Sequence, residues 1–379
     1  MSKLDELIKE LCPNGCEYKK VGDIADYEQP TKYLVKNTDY KDDFETPVLT
    51  AGQTFILGYT NETDGIYPAS KTSPVIIFDD FTGAFKWVDF PFKVKSSAMK
   101  MITAKENVLI KYLYYLMGYL NYSSDEHKRL WISVYSEFQI PVPPMAVQEE
   151  IVRILDNFTS LTAELTAELT AELTARKKQY EYYRDELLTF DKLWFVFVTL
   201  DKISENCDRQ RKPVTKGERE AGKYPYYGAS GIVDYVSDYI FDGDYLLISE
   251  DGANLLARNT PIAFSISGKN WVNNHAHVLK FETYELRRYV EIYLNSIDLS
   301  KYISGGAQPK LNQENLNSIN IPVPSNEQVK HIVSILDRFD SLCNDISEGL
   351  PAEIEARQKQ YEYYRDALLN YAAKGVAEL

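Results

Sequence analysis

Cysteine is scarce in this chain. Only Cys12, Cys16, Cys207 and Cys343 occur among 379 residues. Cys12 and Cys16 have no further Cys or His near them in sequence, so neither a zinc site nor a disulfide framework is expected, and free thiols suit the cytoplasm. Histidine is equally sparse. His127 has no second imidazole beside it. His275 and His277 alternate as strand residues do, which puts one ring inside and one outside and makes a metal pair a poor reading. No run of roughly 18 apolar residues is present to span a membrane. The start, Met1-Ser2-Lys3-Leu4-Asp5-Glu6-Leu7-Ile8, is acidic and amphipathic, so a signal peptide is not expected. A Gly-x-x-x-x-Gly-Lys-Ser/Thr phosphate loop is absent. Pro143-Pro144 stands between Val142 and Met145, which does not make the Asn/Asp-Pro-Pro-aromatic loop of an amino methyltransferase. Catalysis by this chain alone is therefore not expected.

Surplus positive charge is missing too. The net charge is -14, divided as -4 over residues 1–145, -4 over 146–189, -2 over 190–325 and -4 over 326–379. A nucleic-acid function needs either locally clustered cations or partners that supply them. What the chain does have is a hydrophobic fraction of 44%, enough for two or three real cores at this length.

It also has a repeat. Ile140-Pro141-Val142-Pro143 returns as Ile321-Pro322-Val323-Pro324, and Ile154-Leu155-Asp156 as Ile335-Leu336-Asp337. Gln179-Tyr180-Glu181-Tyr182-Tyr183-Arg184-Asp185 returns as Gln360-Tyr361-Glu362-Tyr363-Tyr364-Arg365-Asp366. Every pair is offset by 181 residues. The segments before these motifs barely resemble each other, so one frame is used twice with two different inserts.

Residues 148–188 read as one long helix, because Ile151, Ile154, Leu155, Phe158, Leu161 and Leu165 recur at spacings of three and four. Pro141, Pro143 and Pro144 stop a helix upstream. Inside it Thr162-Ala163-Glu164-Leu165 is followed by Thr166-Ala167-Glu168-Leu169 and Thr170-Ala171-Glu172-Leu173, a spacer whose copy number can change without breaking the helix. The second arm starts near Glu327 with the stripe Ile332, Ile335, Leu336, Phe339, Leu342 and Ile346. Gly349 and Pro351 predict a break, with helix resuming from Ala352 and ending near Tyr371 or Lys374, before Gly375. Two long apolar stripes most simply bury each other as an antiparallel pair. The division expected is a first domain at 1–145, a helical spacer at 146–190, a second domain at 191–325 and a helical region at 326–379.

The inserts read as α+β. A short helix over residues 1–12 is closed by Cys12-Pro13-Asn14-Gly15. Strand-like runs follow at Pro47–Leu49, Val75–Phe78 and Phe90–Val94, then a helix from Val108 to Tyr119. The second insert repeats this order with Tyr224–Tyr227, Tyr245–Ile248, His277–Lys280 and a helix from Tyr284 to Leu294.

Candidate reading surfaces lie in the polar stretches. Each insert places a Trp in what reads as a polar turn, Lys86-Trp87-Val88-Asp89 and Lys269-Asn270-Trp271-Val272-Asn273-Asn274. Lysines there can meet phosphates, and the asparagines can pair with adenine edges. The alternative is a Trp anchoring the core at a hairpin end. Lys71 is a further candidate cation. Ser249-Glu250-Asp251-Gly252-Ala253-Asn254 imitates a Mg²⁺ loop but reads better as a solvated turn, with Arg258 the better DNA candidate. Ser304-Gly305-Gly306-Ala307-Gln308-Pro309-Lys310-Leu311-Asn312 offers Gln308 and Lys310 on a loop with a pinned shape. The matching place in the first insert, Ser124-Asp125-Glu126-His127-Lys128-Arg129, offers Lys128 and Arg129. On the helices, Tyr180, Tyr182, Tyr183, Arg184, Tyr361, Tyr363, Tyr364 and Arg365 are candidate partner anchors or seals for the helix ends.

These borders, arms, tandem units and glycine-glutamine loop together resemble the DNA-specificity subunit of type I restriction-modification systems, over essentially the whole chain. The resemblance implies an α+β fold: two target-recognition domains, separated by an antiparallel pair of long helices, in a pseudo-two-fold internal repeat. It implies a non-catalytic, cytoplasmic subunit that reads a bipartite site in double-stranded DNA, one half-site per domain, with the helices setting the gap. It implies as partners two methyltransferase subunits, using S-adenosylmethionine for adenine-N6 methylation, and up to two restriction/translocase subunits using ATP and Mg²⁺. The first insert departs from the family's glycine-glutamine loop. A scaffold that reads no DNA would explain the helices and the acidity, but explains two divergent polar-loop inserts less well.

Overall fold

A computed structural model describes residues 2–52, 54–122, 128–189, 196–305, 308–345 and 347–374. The chain forms two compact units, Met1–Glu168 with Ile354–Leu379, and Leu169–Glu353. Each therefore joins one insert to two helical segments.

In the first unit a four-stranded antiparallel sheet runs Ala25–Glu28, Met99–Ala104, Val75–Asp79, Phe85–Val88 in spatial order. A second sheet runs Ile56–Thr60, Thr46–Leu49, Lys93–Val94, its last pair parallel. The second unit repeats this plan. Its first sheet is Glu205–Asn206, Ala276–Lys280, Tyr245–Ser249, Ala263–Ile266. Its second is Gly231–Val236, Ala221–Gly228, Lys269–Val272, Phe241–Asp242, with the middle pair parallel.

The continuous apolar runs have a simple cause: these central strands are buried on both faces. Ile76 and Phe78 enter a core shared with the helix Ile110–Leu120, while Val75 and Ile77 enter a core closed by the second sheet. Leu246 and Ile248 likewise face the helix Tyr284–Ser296, while Tyr245 and Leu247 face the other way.

The spacer is one uninterrupted helix, Met145–Leu188, of 44 residues. In the first unit its Val147, Ile151 and Leu155 are fully buried in one cluster with Leu369 of the helix Leu350–Lys374. In the second unit Tyr180, Leu187 and Leu188 join Val329, Ile332, Val333 and Leu336 of the helix Asn326–Asn344. Both pairings are antiparallel and repeat the same contact. Phe158 meets Tyr364 at 5.9 Å between ring centroids, and Tyr183 meets Phe339 at 5.6 Å. Each Phe and each Tyr is the other pair's residue shifted by 181 positions. The expected break lies between Asn344 and Leu350, with Pro351 at the second helical position, where its missing N–H costs nothing. Ile346 and Gly375 lie outside the described residues.

The repeated borders dock each insert on its helices. Gln139–Val142 pairs with Glu17–Lys20, and Asn320–Pro322 pairs with Phe197–Thr199. Tyr112 donates its hydroxyl to the Pro141 carbonyl at 3.0 Å, and Tyr289 to the Pro322 carbonyl at 2.7 Å. Asp156 accepts from the Tyr115 hydroxyl at 2.5 Å and faces Lys111 Nζ at 3.6 Å. Asp337 accepts from the Tyr284 hydroxyl and from Arg288 Nε, both at 2.7 Å.

Two expectations need correction. The run Phe90–Val94 forms strand only at Lys93–Val94, and the strands Ile56–Thr60, Gly231–Val236 and Ala263–Ile266 were not foreseen. Replacing Tyr289 with Phe removes a bond made by a fully buried hydroxyl, at a cost of about 1 kcal/mol. A lowered denaturant midpoint is expected, and an unchanged midpoint would contradict the docking role.

Candidate nucleic-acid interface

The two tryptophans do not occupy equivalent turns. Trp87 lies in the edge strand Phe85–Val88, whose counterpart is Ala263–Ile266, whereas Trp271 lies in Lys269–Val272, whose counterpart is Lys93–Val94. Trp87 packs edge-on against Tyr114, and Lys111 Nζ sits 4.3 Å from its ring centre, so the core-anchor alternative describes it better than base contact. Lys86, on the opposite side of that strand, lines a cavity of about 590 Å³ with Asn121, Tyr122 and Arg365. Lys71, Lys128 and Arg129 are exposed. Arg129 precedes the short helix Leu130–Ser133. Ser124 through His127 lie outside the described residues.

In the second unit the asparagine reading fails in part. Asn270 is completely buried and donates to the Gly268 carbonyl at 2.8 Å. Asn273 is buried and accepts from the His275 amide at 2.8 Å. Neither is presented to a base edge: Asn270 points inward from its strand, and Asn273, one residue past the strand end, is held in the turn it makes with His275. Asn274 and Lys269 stay exposed, with Lys269 Nζ 4.5 Å above the Tyr239 ring. Trp271 donates its indole N–H to the Lys212 carbonyl at 2.6 Å and so holds backbone. Arg258 is also a correction: its guanidinium donates to the carbonyls of Leu294 and Ile297 at 3.3 and 2.8 Å, which stitches a loop to the end of the helix Tyr284–Ser296.

The loop after Tyr245–Ser249 is solvated only in part, with Gly252 and Ala253 exposed. Glu250 is buried, binding Arg211 Nη1 at 2.6 Å and Lys310 Nζ at 3.1 Å. Its carbonyl accepts from the Leu311 amide at 2.8 Å. Lys310 is thereby tied to protein, while Gln308 on the same loop is exposed. Gly305 has φ +85, and a Cβ there would strike the Gln308 carbonyl, so the turn needs glycine. Gly306 and Ala307 lie outside the described residues. His277, buried, faces Asp208 Oδ2 at 2.6 Å and the Leu311 carbonyl at 2.7 Å, and His275 is exposed beside Asp251. Burial alone would raise the Asp208 and Glu250 carboxyls. For Asp208 the contacts from His277, the Val278 amide and Arg211 outweigh burial. For Glu250 those from Arg211, His277 and Lys310 do, and both carboxyls are held below their ordinary 3.8 and 4.5. Asp208, Glu250 and His277 are metal-ligand types grouped within 4.8 Å. Arg211 already bridges both carboxylates, which fills the place of a cation.

The tyrosine motifs divide their labour. Tyr180 packs into the core, and the Tyr361 hydroxyl lies 3.0 Å from that of Thr159, so both seal the helix pairing. Tyr183 and Tyr364 stack on phenylalanines. Arg365 lies against Gly118, where a Cβ would come within 3.2 Å of it, and Arg184 binds Asp185. Tyr182 and Tyr363 are the most exposed tyrosines of the two motifs, at 61% and 70%, and each packs edge-on against the next tyrosine, Tyr183 and Tyr364.

Comparison with known proteins decides the family. The model described as "Type I restriction modification DNA specificity domain" matches residues 13–175 and again 194–356. The chain belongs to this family. It is 44% identical to the Escherichia coli type I restriction enzyme EcoR124I/EcoR124II specificity subunit, over 98% of each chain. It is 33% identical to a putative type I specificity subunit of Haemophilus influenzae, over 84% of this chain and 86% of that one. A chain solved in work on complex assembly and conformational transition of the type I R-M system matches with a TM-score of 0.59. That match covers 96% of this chain and 99% of that one at 16% identity, a likeness of fold. As a specificity subunit the protein is a non-catalytic component with two recognition domains. None of its described helices is long and apolar enough to cross a membrane.

Sequence reasoning missed the cations Arg209, Lys212, Lys216 and Lys223, all exposed in the second unit of this specificity subunit. The depressed carboxyls set a pH dependence. A lowered folded pKa means stability that is present above the unfolded value and lost as pH falls through the folded one. The specificity subunit should lose stability progressively below about pH 4. Glu250→Gln should cost roughly 3 kcal/mol near neutrality and flatten that acid limb. Matched acid limbs in wild type and variant would contradict this account.

Proposed function

We propose that each recognition domain reads one half of a bipartite site in double-stranded DNA, and that the helices set the gap between halves. Two methyltransferase subunits dock on the symmetric tyrosine-bearing helix faces, with Tyr182 and Tyr363 outermost, and carry out adenine-N6 methylation with S-adenosylmethionine. Up to two restriction subunits add ATP- and Mg²⁺-dependent cleavage. Those cofactors are held by the partners. The observation that carries this reading is the use of one docking scheme twice, under two inserts whose outer surfaces differ. A scaffold needs no such difference.

Spacer arithmetic makes the reading testable. A four-residue helical unit is about 6 Å long and turns its far end about 40° beyond a full turn. Duplex DNA advances about 3.4 Å per base pair and turns about 34–36°. Deleting Thr170–Leu173 should shorten the recognised gap by one, at most two, base pairs and leave both half-sites unchanged. Methylation mapping of the assembled complex measures this, and altered half-sites would sink it.

With a net charge of -14, the isolated chain should bind duplex weakly, and the assembled methyltransferase far more tightly and with strong salt dependence. Tight, salt-insensitive binding by the chain alone would contradict the proposed division of labour.

A further inference from the structure

We propose that residues 209–223 of the second unit form a preshaped basic strap that grips the phosphate backbone of the duplex beside one half-site, and that the first unit has no counterpart. This rests on the DNA-reading function above and adds to it a named phosphate clamp and an asymmetry between the two domains.

The stretch holds six cations, Arg209, Arg211, Lys212, Lys216, Arg219 and Lys223, against two acidic residues, Glu218 and Glu220. In a chain of net charge -14 such a cluster is a local reversal of sign. The connection at the same topological place in the first unit, residues 29–45, has three cations against four acidic residues. There Lys32 is paired with Glu28 at 3.2 Å and Lys41 with Asp39 at 3.7 Å.

The strap is built as a shape. Two of its arginines are staples. Arg211 turns inward to Glu250 at 2.6 Å, to the Ala276 carbonyl at 2.8 Å and to Asp208 at 3.3 Å. Arg219 binds the Val214 carbonyl and Asp234, each at 3.1 Å, and stacks 4.4 Å above Tyr226. Tyr226 in turn accepts from the Val214 amide at 3.0 Å, and Trp271 takes the Lys212 carbonyl at 2.6 Å. The two acids are occupied by hydroxyls: Thr215 donates to Glu218 at 2.8 Å and Ser237 to Glu220 at 3.1 Å. The other four cations, Arg209, Lys212, Lys216 and Lys223, are exposed and make no ion pair among the described residues. Lys212 and Lys223 rest over Trp271 and Tyr224, at 5.9 and 5.3 Å, contacts that orient an ammonium without neutralising it.

A fixed backbone with cations outward suits phosphates. Such contacts set the position of a protein on the duplex and carry no sequence information themselves. Trp271 is a positioning residue in this scheme, acting through the Lys212 backbone.

The test uses the complete methyltransferase complex and a duplex bearing its mapped site. The variant Arg209→Gln/Lys212→Gln/Lys216→Gln/Lys223→Gln changes only exposed side chains, and an unshifted melting curve verifies that it folds. Binding at about 0.1 M salt should weaken roughly 10- to 100-fold, and the slope of log K against log salt should flatten by up to about 3.6, near 0.9 per lost phosphate contact. Both methylated half-sites should stay the same. The first-unit variant Lys32→Gln/Lys36→Gln/Lys41→Gln should change the slope by less than about one unit. Wild-type affinity and slope in the strap variant would overturn the proposal. So would a changed half-site, which would mean base reading, or failure of the complex to assemble, which would mean that the strap docks on a protein partner. A wild-type complex with no preference for its site over unrelated duplex would instead count against the DNA-reading function.

Discussion

Orientation of each recognition domain on its helix is the constraint from which the rest of the architecture follows. A domain that swivels cannot hold register with a base sequence. Two contacts stop the swivel in each unit: a buried tyrosine hydroxyl on the first proline carbonyl of the border, and a cation-tyrosine pair on the aspartate of the following helix. The residues repeated at the 181-residue offset are largely those that make these contacts or seal the helices. The two solutions are not chemically identical. Arg288 reaches Asp337, Asp340 and Glu291. Burial would lower its pKa, but those carboxylates raise it. Lys111 has one carboxylate and is held by the rings of Trp87, Tyr114 and Tyr115. The ion-pair version depends on full hydrogen bonding of a buried charge, and the aromatic version on shape.

Double burial of the central strands explains how one frame tolerates two inserts. Val75–Asp79 and Tyr245–Ser249 feed alternate side chains into two cores at once. Their sequences are thereby restricted to apolar residues of the right volume. The outer strands and connections are restricted far less, so the chemistry presented there can change while the docking scheme persists.

This division also governs what was legible in the sequence. The arms were readable because a helical stripe repeats over many turns, and the break before Leu350 because Gly349 and Pro351 together argue against one continuous helix, Pro351 being tolerated in the first turn of the new one. The central strands were readable as apolar runs. The hairpin strand Gly231–Val236 was not, since Ile232, Val233 and Tyr235 face outward and blur the alternation. The site was read less well, and for a physical reason. Polar residues around Trp271 imitate a loop, yet Asn270 and Asn273 are buried and bonded locally, and only structure distinguishes a satisfied asparagine from an available one. Arg258 and Lys310 posed the same problem: a cation on a loop does not announce whether carbonyls or carboxylates already hold it.

Charge illustrates why averages mislead. The segment 190–325 sums to -2, which suggests a surface indifferent to DNA. Salt restricts the reach of a charge to about 10 Å at 0.1 M, so a phosphate responds to the cations beside it and hardly to acids on a distant helix. Six cations within fifteen residues, two of them turned inward as staples, are then a strong local field inside an acidic protein. The net acidity of the chain has its own consequence, because it weakens indiscriminate long-range attraction to duplex. On the proposal above, a concentrated patch of cations on a chain of net charge -14 favours one mode of approach over many, and a single approach is what a reader of spaced half-sites requires.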